Sequence, residues 1–174
     1  GDPPSERVFR APEPGLDRVA LPYDLYDDDD LAHRTIYVEA SRGCPFHCEY
    51  CLSSLDHGAR RFDADRLLPA FDVLLARGAR VFKFVDRTFN LHTGFCTRLL
   101  DFFLERVETG LFVHFEMIPD RLPQALAERL VRFPPGALQL ELGVQTFHPE
   151  VAARIQRHQD NARIERHLRF LREE

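Results

Sequence analysis

At 174 residues, 44% hydrophobic and 29% charged, the chain is long enough for one core of ordinary domain size, and it has no apolar run long enough to span a membrane. The net charge of −5 comes from residues 1–34, which hold nine acids against four arginines; the rest balances at nineteen each, which argues against a broad basic face for nucleic acid while leaving a local patch open. No charged-then-apolar amino terminus reads as a secretory signal, so the expected compartment is cytoplasmic and reducing, where clustered cysteines point to metal or redox chemistry rather than disulfides.

Residues 1–34, with Pro3, Pro4, Pro12, Pro14, Pro22 and the run Asp27-Asp28-Asp29-Asp30, read as an extended, solvated linker. Gly1 at the start and a lone methionine, Met117, suggest a piece of a longer protein with flanking domains outside this chain. From Thr35 onward, short apolar runs alternate with stretches of helical period. The pattern predicts strands over 35–41, 80–86, 111–117 and 137–145. It predicts helices over 63–78 (bent or broken near Pro69), 92–110 and 122–133, and one or two after His148. Four successive strand-helix units predict an α/β fold, a partial (β/α) barrel of parallel strands with right-handed crossovers, spanning residues 35–174 and lacking its closing strands. An open edge after the fourth strand would invite pairing with another chain.

The period of two along each strand separates an apolar face from a polar one. Ile36 and Val38, Phe82 and Phe84, Val113 and Phe115, Leu138 and Leu140 fall on the first. Glu39, Lys83, His114, Glu116, Glu141 and Gln145 fall on the second and are expected to converge on the concave side, where Lys83 could simply pair with Glu39 or Glu141. A polar concave surface at the carboxyl ends of parallel strands favours a binding site.

Directly after the first strand comes "SRGCPFHCEYC", with Cys44, Cys48 and Cys51 spaced Cys-x3-Cys-x2-Cys. A closed zinc or iron–sulfur site takes four ligands. Zinc would need Cys96, His47 or His57 as the fourth, and Cys96 sits in a helical stretch beside Phe95 and Leu99, where packing is the simpler role. Three thiolates alone would leave one iron of a cluster open to a ligand.

These residues resemble the radical S-adenosylmethionine enzymes. The cysteine spacing with Tyr50 before the last cysteine is similar to the cluster loop of that family. "FVDRTFN" (84–90) resembles the motif whose backbone meets the methionine amino group, with Asp86-Arg87 in place of the usual Gly-Gly-Glu. "HFEMIPDRL" (114–122) resembles the segment in which a glutamate, here Glu116, faces the cofactor. "ELGVQTFHPEVAARIQR" (141–157), which opens on Glu141, is similar to the Gly-Val-Gln segment of the coproporphyrinogen-oxidase-like branch; there a glutamine meets the ribose and an arginine twelve residues later holds the methionine carboxylate, which maps onto Gln145 and Arg157. The wording of the cysteine loop and of "KFVDRTFN" most resembles the branch with an amino-terminal cobalamin-binding domain.

The resemblance implies a 4Fe-4S cluster on Cys44, Cys48 and Cys51 with S-adenosylmethionine on the open iron. It implies reductive cleavage to a 5'-deoxyadenosyl radical, or methyl transfer through a cobalamin carried outside this chain, and a reductant such as flavodoxin or ferredoxin as partner. Arginine suits the cofactor carboxylate because its planar fork can bind both oxygens. Two other readings stay open at this point: a noncatalytic zinc or electron-relay module on the same cysteines, and an RNA methylthiotransferase, against which the charge balance leans.

Overall fold

The computed structural model describes residues 11–55, 58–107 and 110–173. The central sheet is parallel, in the order β1 (Ile36–Val38), β4 (Val81–Phe84), β5 (Phe112–Met117), β6 (Leu138–Leu142). A separate two-stranded antiparallel ladder, β2 (Ser41–Arg42) with β3 (Arg60–Arg61), lies between β1 and the first long helix. The helices are α1 (Asp28–His33), α2 (Ala64–Ala76), α3 (Thr93–Leu104), α4 (Gln124–Leu130), α5 (Pro149–Arg154) and α6 (Asn161–Glu173). Among the described residues no helix is long and apolar enough to cross a membrane.

The alternation expected in the strands holds. Ile36, Val38, Phe82, Phe84, Val113, Phe115 and Met117 are buried on the helical side, while Tyr37 is half exposed on the other. The core is rich in phenylalanine and leucine. Phe71 of α2 packs at 5.8 Å on Phe84 and 6.2 Å on Phe103 of α3, and Phe115 joins Phe84 at 4.6 Å and Phe89 at 3.9 Å. Helix α2 runs as one segment through Pro69, with Asp63 accepting the Asp65 N–H as its cap, so the expected break does not occur. His114 departs from the strand pattern: it belongs to the polar face yet is only 4% exposed, because β5 is an inner strand with neighbours on both sides.

The linker expected over residues 1–34 is corrected from Leu16 to His33; Pro3 and Pro4 lie outside the described residues. Leu16, Tyr23 and Leu31 are buried in the core. Arg66 of α2 donates to the carbonyls of Leu16, Asp17 and Val19. The aspartate run is a helix start: Asp27 accepts from the Asp30 N–H while the Asp30 side chain accepts from the Asp27 N–H, and Asp28 pairs with Arg77 at 3.0 Å.

This segment also covers the outer edge of β1. The Tyr26 hydroxyl accepts the Tyr37 N–H and donates to the Tyr37 carbonyl, each at 3.0 Å; the Tyr23 hydroxyl does the same for Glu39, at 2.9 and 3.2 Å. Two phenols thus stand where another strand would pair.

A buried carboxyl ties the sheet to the loop that follows β1. Asp86, just past β4 and 2% exposed, accepts from the Ala40 N–H at 2.9 Å and from the Ser41 hydroxyl. Burial raises it from 3.8 to about 6, against the opposing effect of those hydrogen bonds.

Two outcomes follow from these contacts. Tyr23→Phe strips a mostly buried strand edge of its partner and should cost about 1–3 kcal/mol in urea unfolding, whereas Tyr26→Phe, whose edge groups can turn to water, should cost less. Because the folded-state pKa of Asp86 lies above its unfolded value, its contribution to stability is complete below pH 3.8 and declines by about 3 kcal/mol as pH rises through 6. Asp86→Asn should remove that decline, and parallel stability profiles for the two proteins between pH 4 and 7 would contradict it.

Candidate active site

The four parallel strands end on one edge of the sheet, and the loops leaving β1, β4, β5 and β6 meet there around a cleft of about 420 Å³. The cysteine loop is pinned at its base by the ladder of Ser41 with Arg61 and Arg42 with Arg60. Gly43 adopts φ 91°, a left-handed turn open to glycine, immediately before Cys44. The loop then closes on itself: the Cys51 N–H bonds the Cys48 carbonyl at 3.0 Å, and the Ser54 hydroxyl bonds the Cys51 carbonyl at 2.6 Å.

Its tip is docked onto the segment after α5. The Glu49 N–H donates to the Ile155 carbonyl at 3.1 Å, and the Gln156 amide donates to the Glu49 carboxylate at 2.9 Å. Arg157 completes the joint: Nη1 donates to Cys48 Sγ at 3.6 Å, Nη2 to the Gly143 carbonyl, and Nε to Gln159 Oε1 at 3.3 Å. A side chain at Gly143 would crowd this arrangement, since a Cβ there would stand 3.2 Å from Gln145 Nε2 and 3.8 Å from Arg157 Nη2. Gln145 and Gln156 hold positive φ, 66° and 51°, which for non-glycine residues is a sparsely populated conformation.

The structure brings eight of the nine residues that the family resemblance singles out to one cleft, Cys44, Cys48, Cys51, Tyr50, Glu116, Glu141, Gln145 and Arg157, while Glu39, Lys83 and His114, expected on the same face, do not line it. Two are placed differently from expectation. Gln145 lies three residues beyond the end of β6, and Arg157 follows α5 instead of riding on it. Asp86 is the ninth, and its side chain points behind the cleft to Ala40 and Ser41. The pairings suggested for Lys83 do not form: Glu39 takes a bidentate bond from Arg42 at 2.6 and 2.8 Å, and Glu141 lies 3.3 Å from His114 Nε2.

The wall also contains two residues of the 84–90 motif whose side chains were given no role in the sequence. Arg87 pairs with Glu116 at 3.2 Å. Thr88 lines the cleft with a buried hydroxyl that bonds nothing among the described residues. The legible sign of both was their place in the FVDRTFN motif, one and two residues after Asp86.

The electrostatics follow from crowding three thiols beside one cation. Burial raises Cys44, the neighbouring Cys51 and Cys48 raise it further, and Arg157 opposes them. Tyr50 is raised chiefly by burial, with Arg157 pulling it down. Cys96 stands apart. It is fully buried in α3, its thiol donates to the Phe89 carbonyl at 2.6 Å, and burial pushes it up to about 12.

For a metal group, the fit rests on these donors. Three free thiols face one cleft, the fourth cysteine is enclosed in the core, His47 is exposed, and His57 lies outside the described residues. Among the described residues no three His, Cys, Asp or Glu groups converge on the position of a single ion. Thiols at one cleft are donors that either zinc or an iron–sulfur group accepts.

Comparison with known proteins agrees with the geometry. The family model of the radical SAM superfamily matches residues 38–174. The chain is 32% identical over 109 residues to an uncharacterised methyltransferase of Pyrococcus horikoshii, covering 61% of this chain and 22% of that protein. Its fold superposes with a TM-score of 0.66 on the radical S-adenosylmethionine methyltransferase TsrM of Kitasatospora setae with cobalamin and a 4Fe-4S cluster bound, at 17% identity over 80% of this chain and 27% of that one. The structure of TsrM with tryptophan and a SAM analogue superposes equally well, over 28% of its length. At that identity the likeness is one of fold, and the chain spans about a quarter of the length of these relatives. The match over most of its length shows that the chain belongs to the radical SAM superfamily.

Proposed function

We propose that this chain is the amino-terminal part of a radical S-adenosylmethionine catalytic core, in which Cys44, Cys48 and Cys51 hold a 4Fe-4S cluster and the cleft beside them takes S-adenosylmethionine. The observation that carries the reading is the joint between Cys48, Gly143 and Arg157, which places a guanidinium at the cysteine loop and opens both to one cleft. When bound, such a cluster supplies an electron to the sulfonium and so cleaves a carbon–sulfur bond.

The protein's own residues bind and orient. Arg157 offers a planar cation to the methionine carboxylate, exchanging its hold on the Gly143 carbonyl for a charge-assisted bond. Gln145, fixed at positive φ, presents its amide toward the ribose. The backbone after β4, from Asp86 to Thr88, and Glu116 on β5 would meet the amino group, with Arg87 paired to Glu116 at 3.2 Å. Glu141 and Tyr50 complete the wall. The methyltransferase relatives favour methyl transfer assisted by a cobalamin on a flanking domain, with an external reductant such as flavodoxin or ferredoxin; these belong to the whole protein. The same reading places the enzyme in the cytoplasm.

Replacing any of Cys44, Cys48 or Cys51 with alanine should abolish cluster assembly, while Cys96→Ala leaves iron content unchanged; stoichiometric zinc after anaerobic reconstitution would contradict the assignment. A charge-assisted bond contributes about 1.5–3 kcal/mol, so Arg157→Ala should weaken S-adenosylmethionine binding roughly 10- to 150-fold with the cluster retained. Arg154→Ala, exposed on α5, should change it little. Equilibrium dialysis on the reconstituted proteins reads both, and equal affinities would show that Arg157 serves only the fold.

A further inference from the structure

The cleft does not end at its rim. It continues into a second groove of about 560 Å³, and the two share Phe46, Ile118, Asp120 and His158. The floor is the loop after β5, held by Asn90, whose amide accepts from the Ile118 N–H and donates to the Ile118 and Arg121 carbonyls. One wall is the first two turns of α6, fastened by His167 Nδ1, which donates to the Pro119 carbonyl at 2.9 Å.

The charge in this groove is predominantly positive. Arg121 gives Nε and Nη2 to the carbonyls of Asn90 and Leu91 at 3.0 Å, which fixes the guanidinium without neutralising it. Arg166 has no acidic partner among the described residues, whereas Arg163 is paired with Asp160 at 3.2 Å. Asp120, the carboxylate of the lining, accepts the Asp160 N–H at 2.9 Å. Two histidines, His158 and His167, add further donors. An acidic chain thus places two arginines without an acidic partner among the described residues, Arg121 and Arg166, beside one carboxylate in a concave surface that adjoins the candidate active site.

We infer that this groove receives an anionic group, phosphate or carboxylate, of the substrate whose reacting atom lies in the cleft. The inference rests on the proposed function, and it names a substrate class for it. Guanidinium pairs recognise oxyanions through parallel hydrogen bonds, and Arg121 is preorganised for this because its orientation is already fixed by backbone. Further along α6, Arg169 and Arg172 lie outside the groove and provide the internal control.

The test is isothermal titration calorimetry of the full chain, reconstituted with iron and sulfide, against pyrophosphate and against citrate. At least one probe should bind with one-to-one stoichiometry, more weakly at higher salt, and the tighter probe tells phosphate from carboxylate. Arg166→Gln should weaken that binding roughly 3- to 10-fold, between an exposed ion pair and a charge-assisted bond, while Arg169→Gln leaves it unchanged. Binding of neither probe, equal losses in the two variants, or binding of a short single-stranded RNA when neither probe binds would overturn the inference. Cluster absorbance is read in the same samples: its absence counts against the proposed function, while the calorimetry reports the groove independently.

Discussion

One guanidinium joins the parts of the site that lie farthest apart in sequence. Arg157 reaches Cys48 with one nitrogen and Gly143 with another, so the cysteine loop after β1 and the turn after β6 share a single partner. Around it the backbone contact from Glu49 to Ile155 and the side-chain contact from Gln156 to Glu49 hold the loop tip against the same segment. The left-handed conformations at Gln145 and Gln156 are intelligible as the cost of this geometry, since local strain of order 1–3 kcal/mol persists where surrounding contacts over-determine it.

The opposite side of the sheet edge is secured by a carboxyl. Asp86 holds Ala40 and Ser41 from the end of β4, which fixes the point where the chain leaves β1 and heads for Cys44. Its elevation to about 6 records the price of burying an acid among backbone and hydroxyl donors. The outer edge of β1 is closed by Tyr23 and Tyr26, so the strand that launches the cysteine loop is braced on both flanks.

The parallel sheet and the position of the cysteine loop were legible because they depend on local pattern: alternation in Phe82 and Phe84, in Val113 and Phe115, and a loop directly after a strand. Convergence of Glu116, Glu141, Gln145 and Arg157 was legible from strand ends and from family resemblance. What the sequence hid depends on distant partners. The aspartate run looks solvated until Arg77 and the Asp27–Asp30 cap are seen, and nothing local announces that two tyrosine hydroxyls bond a strand edge. Asp86 has the right position for the motif, but whether an acid faces a cleft or a backbone amide is decided by residues more than forty positions away. The short ladder at Ser41 and Arg60 was likewise invisible, being two residues long on each side.

The central claim is that the three thiols of this loop hold a cluster with one iron left for the amino acid end of S-adenosylmethionine. Electron-nuclear double resonance on the reduced, reconstituted chain, with cofactor labelled by carbon-13 at the methionine carboxyl, addresses it most directly. The account predicts a resolved coupling between the label and the cluster spin, from chelation of the open iron. A cluster signal with no coupling to the label would contradict it.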